Sequence, residues 1–231
     1  MYGYSDLTVI IPTLNEEQNI ETLLNELITL YPGCLVFVSD DGSTDRTGDI
    51  VRAFVDNGVM LIDRSDEQVH GLTASVLDGI MRTSTDYFVV IDGDLQHPPE
   101  KIGELVAVLR RGHVLVVGVR ADVPGWGWHR RVISGGASQL GRVALRLRGA
   151  PQCSDIMSGF FGAKTSFVRP YVLRYASRFE LGGFKVLFDL LKLLPGHTIV
   201  CEVSYVFGAR GFGSSKMDAS HIFSYIRSLM S

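Results

Sequence analysis

The densest oxygen chemistry in this 231-residue chain lies at Ile91-Asp92-Gly93-Asp94-Leu95-Gln96-His97, directly after the apolar run Tyr87–Ile91. Side chains alternate from face to face along extended backbone, so Asp92, Asp94 and Gln96 are expected to project to one side. Two carboxylates and an amide oxygen suit a hard divalent cation, Mg²⁺ or Mn²⁺, which also takes diphosphate oxygens. The same residues also read as a polar turn whose aspartates bond nearby backbone N–H groups. A second acidic cluster, Ser39-Asp40-Asp41-Gly42-Ser43-Thr44-Asp45, ends the run that starts at Cys34. Thr44 or Asp45 is expected to cap the next helix. That duty does not need Asp40 and Asp41, and a carboxylate at a strand end can accept hydrogen bonds from a nucleobase or ribose. A third loop, Pro12-Thr13-Leu14-Asn15-Glu16, offers Asn15 as a helix N-cap and Glu16 as a first-turn charge. Three successive oxygen-rich strand ends point to one shared site.

The elements that must position these loops follow from apolar spacing. Strands are expected at Leu7–Ile11, Cys34–Ser39, Val59–Ile62, Tyr87–Ile91 and Val114–Val119, and helices at Glu16–Tyr31, Thr44–Val55, Leu72–Thr83 and Pro99–Arg110. Strands alternating with helices imply right-handed crossovers and a mostly parallel Rossmann-type α/β sheet covered on both faces. Ligands of such a sheet bind beyond the carboxyl ends of its strands. After Arg120 the rhythm breaks into a Gly/Trp-rich loop, helices at Arg130–Leu147, Ser166–Tyr175, Gly183–Leu194 and Ser220–Leu229, and strands near Phe160–Lys164 and Thr198–Phe207. No internal repeat or persuasive linker interrupts the chain, which reads as one domain over residues 1–231.

Composition excludes several classes. Apolar residues make up 46% and charged residues 20%, and the net charge of −3 gives no sign of a nucleic-acid binder. The three cysteines are too few and too scattered for a disulfide framework or a zinc site, and Cys34 and Cys201, in apolar runs, read as core residues of a reducing compartment. The start, MYGYSDL, lacks the pattern of a signal peptide, and no apolar stretch reaches about 18 residues. There is no Gly-x-Gly-x-x-Gly after the first strand, no P-loop, no Gly-x-Ser-x-Gly elbow, and no histidine pair at metal-ligand spacing.

The three loops in this order resemble the nucleotide-sugar half of the family 2 glycosyltransferases, which have the GT-A fold. Ser158-Gly159-Phe160-Phe161, Gly183-Phe184-Lys185 and Arg210-Gly211-Phe212-Gly213-Ser214-Ser215-Lys216 are similar to the dolichol-phosphate mannose synthase branch. The resemblance implies a nucleotide-sugar half over about 1–120 and an acceptor half with membrane-facing helices over about 121–231. It implies that Pro12, Leu14, Glu16, Ser39 and Asp41 hold the donor nucleoside. Asp92, Asp94 and Gln96 would bind the metal, and Gly93 would let the diphosphate approach. Lys185, Arg210 and Lys216 would meet donor phosphates, and Arg120, Arg130 and Ser134 the acceptor phosphate. Asp94, Arg210 and Lys216 are the catalytic candidates.

The implied reaction is inverting transfer of a hexose, mannose from GDP-mannose, to dolichyl or polyprenyl phosphate. The alternatives are glucose from UDP-glucose, a saccharide hydroxyl as acceptor, and a non-catalytic nucleotide-sugar-binding subunit. Leu14 departs from the aromatic residue common in the family, Ser39 from an aliphatic one and Phe212 from a basic one. Between Arg120 and Arg148 six arginines face one aspartate, a local +5 that leaves −8 for the rest. With Trp126, Trp128, Val132, Ile133, Leu140 and Val143 interspersed, the segment suits an anionic membrane surface, on the cytoplasmic face, or else a solvated helix with an apolar core face.

Overall fold

The computed structural model describes residues 3–122, 139–183 and 185–208. Its first half follows the expected alternation: β1 (Leu7–Thr13), α1 (Ile20–Leu30), β2 (Leu35–Asp40), α2 (Thr47–Arg52), β3 (Val59–Asp63), α3 (Leu72–Arg82), β4 (Tyr87–Val90), α4 (Ile102–Arg110) and β5 (Leu115–Asp122). A helical stretch at 139–147, α5, precedes β6 (Phe161–Lys164), α6 (Thr165–Arg174), α7 (Val186–Leu193) and β7 (Val200–Val206). The helix expected at Ser220–Leu229 lies outside the described residues.

The seven strands form one sheet in the order β3-β2-β1-β4-β6-β5-β7. β1 pairs in parallel with β2 and β4, β2 with β3, and β5 with β7; β6 alone runs antiparallel, between β4 and β5. The carboxyl ends of the six parallel strands therefore share one edge with the amino end of β6. Periodicity reads the order of elements along the chain but not the place of a late strand, so the insertion of β6 was not expected.

The sheet is covered on both faces along its central strands β1, β2 and β4, which are buried almost throughout, whereas the edge strands β3 and β7 alternate buried and exposed positions. On one face Val9, Ile11, Val36, Val38 and Val89 share a core with Leu23, Leu24 and Leu27 of α1 and Leu105 and Leu109 of α4. On the other, Ile10, Phe88, Val90, Val117 and Phe161 meet α3, α6 and α7. Each fully buried Leu or Ile contributes roughly 2 kcal/mol relative to exposure.

Four helices start later than expected: α4 at Ile102, after a 3₁₀ turn at Pro99–Lys101, α7 at Val186, and α1 and α2 for reasons visible in their loops. α1 begins after a turn in which the Asn19 and Ile20 amides both donate to the Glu16 carbonyl. The helix expected at Thr44–Val55 shortens to α2 and a 3₁₀ turn at Val55–Asn57, because Ser43, Thr44 and Asp45 are taken into side-chain bonds with the first loop.

Candidate active site

The loops after β1 and β2 are laced together. Asn15, at a positive φ of 53°, donates its amide to Ser43 Oγ at 2.7 Å and accepts from the Thr44 amide at 2.8 Å. It is therefore not the cap of α1, whose N-cap position is Asn19, without a side-chain cap bond. The Glu16 amide donates to Thr47 Oγ1 and the Glu17 amide to Asp45 Oδ2. Asp45 also accepts from the Thr47 amide at 3.0 Å, but the N-cap position of α2 is Arg46, without a side-chain cap bond, so the cap expected from Thr44 or Asp45 is not made.

The paired aspartates divide. Asp40 accepts from Thr13 Oγ1, from the Gly42 and Ser43 amides and from Ser43 Oγ, so its carboxylate holds the turn together. Asp41 accepts from the Gly71 amide at 2.6 Å and the Arg64 Nε at 3.2 Å, with His70 Nδ1 also at 3.2 Å. Arg64, only 4% exposed, further pairs with Asp78 and donates to the Val69 carbonyl. Sequence reasoning missed Arg64; a lone arginine past a strand carries no spacing signal. Among the other expected nucleoside residues, Leu14 is 38% exposed, whereas Pro12 and its register partner Ser39 are buried. The Ser39 hydroxyl has no hydrogen-bond partner among the described residues.

The β3–α3 loop leans on the chain before α7. Gly71 has φ 145°, and a Cβ there would lie 2.5 Å from the Leu181 carbonyl oxygen and 2.6 Å from Gly182 Cα. The Thr73 and Ala74 amides, in the first turn of α3, donate to the Gly183 and Leu181 carbonyls. Those bonds satisfy amides that the helix itself leaves without partners.

β4 ends at Val90, and the acidic loop beyond it turns, with Leu95 at φ 63°. The expected extended alternation of Asp92, Asp94 and Gln96 is therefore corrected: a turn sets their directions. Asp94 is buried and accepts from the Gln96 amide at 3.1 Å, the self-bonding of the polar-turn alternative. Gly93 packs so closely that a Cβ would stand 3.3 Å from Thr13 Cγ2 and 3.5 Å from Glu16 Cγ, which brings the first loop against the acidic one. Gly159, just before β6, faces Asp92; a Cβ would sit 2.8 and 2.9 Å from its two carboxylate oxygens. Asp92 Oδ2 lies 2.9 Å from His97 Nε2, and the Gln96 side-chain amide donates to the Gly208 carbonyl at 3.3 Å.

Among the described residues no three His, Cys, Asp or Glu side chains gather as a metal cage. Two carboxylates and one amide oxygen nevertheless fit a hard divalent ion that takes its remaining ligands from diphosphate and water.

The cationic side is built at β5. Arg120 donates from Nε and Nη2 to the two Asp155 oxygens at 2.7 and 3.0 Å, and its guanidinium lies 5.5 Å from the Phe207 ring centroid. Asp155 is a second residue that sequence reading missed. Burial pushes the Lys185 ammonium from 10.5 down to about 8; the positive field of Arg120 adds to this, and Asp155 and Asp92 oppose it. Arg130, Ser134, Arg210 and Lys216 lie outside the described residues.

A mostly parallel sheet with its loops gathered at the carboxyl edge defines an open α/β protein of the kind that binds its ligand at that edge. The family model for glycosyl transferase family 2 matches residues 8–171, and the chain belongs to that family. It is 36% identical over 231 residues to a dolichol-phosphate mannosyltransferase of Pyrococcus furiosus, covering 96% of this chain and 62% of that protein. The corresponding Saccharomyces cerevisiae protein is 34% identical, with 97% of this chain and 85% of that one covered. A polyprenol monophosphomannose synthase of Mycolicibacterium smegmatis is 30% identical over 93% of this chain and 82% of its own. The chain thus spans under two thirds of the Pyrococcus relative's length. Among solved structures, glucosyl-3-phosphoglycerate synthase from Mycobacterium tuberculosis, crystallised with Mn²⁺, UDP-glucose and glycerol 3-phosphate, superposes with a TM-score of 0.66. That match covers 97% of this chain and 77% of that one at 24% identity, and it shows a shared GT-A-like fold.

Proposed function

We propose that this chain is an inverting, divalent-cation-dependent glycosyltransferase that moves mannose from GDP-mannose to dolichyl or polyprenyl phosphate. The observation that carries the reading is the meeting of an acidic turn, Asp92–Gln96, with the β1 and β2 loops on one edge of the sheet, near Arg120 and Lys185. The names of the relatives supply the sugar and the lipid.

In this reading Asp92, Asp94 and Gln96 hold Mg²⁺ or Mn²⁺, Gln96 through the amide oxygen, since its nitrogen is turned to Gly208. When bound, the ion supplies Lewis-acid stabilisation of the charge that develops on the leaving diphosphate. Pro12, Leu14, Glu16, Ser39 and Asp41 hold the nucleoside; Asp41 does so as part of its network with Arg64 and Gly71. Lys185, Arg210 and Lys216 meet the donor phosphates, while Gly93, whose Cβ position faces Thr13 and Glu16, lets the first loop rather than the diphosphate come close. Arg120, Arg130 and Ser134 hold the acceptor phosphate, for which planar guanidinium donors are suited. That phosphate, with a second pKa near ~6, is already an anionic nucleophile at neutral pH. Its oxygen forms the new bond to the anomeric carbon as the bond to the nucleotide diphosphate breaks on the opposite side, which inverts the centre. No side chain has to remove a proton.

We place the protein peripherally on the cytoplasmic face of a membrane and read residues 1–231 as one catalytic domain. Among the described residues no helix is long and apolar enough to cross a bilayer.

The test is a donor screen at fixed short-chain polyprenyl phosphate. Labelled GDP-mannose should pass its label into the organic phase in the presence of Mg²⁺ or Mn²⁺. Transfer only from UDP-glucose would overturn the sugar assignment, and no transfer from either donor would favour a non-catalytic nucleotide-sugar-binding subunit.

A further inference from the structure

The histidine of the acidic loop is not a solvated side chain. His97 is 3% exposed and Tyr205, on β7, is 2% exposed. The Tyr205 hydroxyl lies 2.7 Å from His97 Nδ1, across 108 residues of sequence, while His97 Nε2 lies 2.9 Å from Asp92 Oδ2. The imidazole is walled by the rings of Phe160, Tyr205 and Phe207, at centroid distances of 5.4, 5.5 and 5.2 Å. Burial pushes the Tyr205 phenol well above its ordinary range, so its hydroxyl keeps its proton to donate. An ionised carboxylate only accepts, so Nε2 carries the proton shared with Asp92, and Nδ1 accepts from Tyr205.

We infer that Tyr205 and His97 form a buried hydrogen-bonded relay whose task is to orient the Asp92 carboxylate as a metal ligand. His97 and Tyr205 are positioning residues, and the inference rests on the reading of Asp92 as a metal ligand. Three features favour this over simple core filling. A core needs no polar chain ending on a half-buried carboxylate, and each buried polar group carries a desolvation cost unless it is bonded. Gly159 packs against the same carboxylate, where even a Cβ would collide with both oxygens. Finally, the chain just past β7 is fastened to the acidic loop again, through the Gly208 amide to the Gln96 carbonyl at 2.8 Å. Both ends of the proposed ligand set are thus tied to β7 and the two residues that follow it. Partners of this kind fix ligand orientation, and their loss typically weakens metal affinity 10–100-fold.

The test measures Mn²⁺ binding directly, by electron paramagnetic resonance with GDP present, beside thermal unfolding of the metal-free protein. Tyr205→Phe deletes one hydroxyl and keeps the ring. It should weaken Mn²⁺ binding ~10-fold, at the low end of that range, and leave the unfolding temperature within a few degrees. His97→Gln, which keeps an amide donor near the Nε2 position, should retain more Mn²⁺ affinity than His97→Leu. If Tyr205→Phe and His97→Gln bind Mn²⁺ as tightly as the wild type, while Asp92→Asn does not, the relay is overturned and the metal reading stands. If the wild type itself binds no Mn²⁺ with GDP, both fall together.

Discussion

Asp94 and Lys185 carry opposite charges at the edge where the loops meet, and each yields a measurement. Asp94 is buried and bonded to the Gln96 amide, so Asp94→Asn keeps its shape and removes one anion. Turnover should fall ~10²-fold or more, the scale on which a group that stabilises developing charge is usually felt. Steady-state assays across a Mn²⁺ titration check this; full activity of the variant in excess chelator would refute the metal assignment. Lys185 behaves differently because burial lowers its pKa to about 8 from 10.5. Between those values the unfolded chain binds more protons than the folded one, so stability of the metal-free protein rises with pH through that window. Below it, both states are protonated and the folded state bears the cost of a buried cation. Lys185→Met should therefore be more stable than the wild type at pH 7, with the difference shrinking as pH climbs towards 10. Urea unfolding at several pH values measures it, and a difference that does not change with pH would show that Lys185 is not depressed.

Among the elements, the α3 amino terminus shows how one backbone position fixes the distance between two loops. Gly71→Ala meets both a positive φ and a Cβ that would press on the Leu181 carbonyl and Gly182. Gly112→Ala, at φ 99° with nothing within 4 Å, meets only the first. The conformational cost alone is about 1–2 kcal/mol, so Gly112→Ala should lose about that much and Gly71→Ala distinctly more. Equal losses in urea unfolding would mean that the 181–183 segment yields freely. Among the described residues, the strands, most helical stretches and the three oxygen-rich ends were legible in the sequence because each is written in local spacing. What was not legible is long-range. β6 slots between β4 and β5, Arg64 reaches back to Asp41, Asp155 pairs with Arg120, and Tyr205 finds His97. The backbone at Asp92–Gln96 was read as extended past Val90, whereas the chain turns there through Leu95, as the polar-turn alternative has it.

Charge separation is the property of the whole molecule that bears on the membrane association proposed for it. The net charge of −3 hides a segment, 120–148, that carries +5. On α5, Leu145 is fully buried while Leu140, Val143 and Leu147 are 60%, 49% and 85% exposed. Arg146 and Arg148 are exposed beside them, so the helix offers water an apolar stripe edged by cations. An isolated apolar stripe would bind any bilayer; added arginines favour an anionic one, at ~1 kcal/mol for each charge near the surface. The expected outcome is co-sedimentation with vesicles containing phosphatidylserine at low salt and weak retention on neutral phosphatidylcholine. At about 1 M salt the screening length falls to ~3 Å and most of the difference should vanish. Replacing Arg146 and Arg148 by Ala removes two cations without touching the sheet edge that carries the acidic turn. It should weaken binding to anionic vesicles by ~30-fold, the factor for two such charges, and leave GDP binding unchanged. Equal binding of wild type and double variant, or equal binding to both lipids, would mean that α5 is not the surface that meets the membrane.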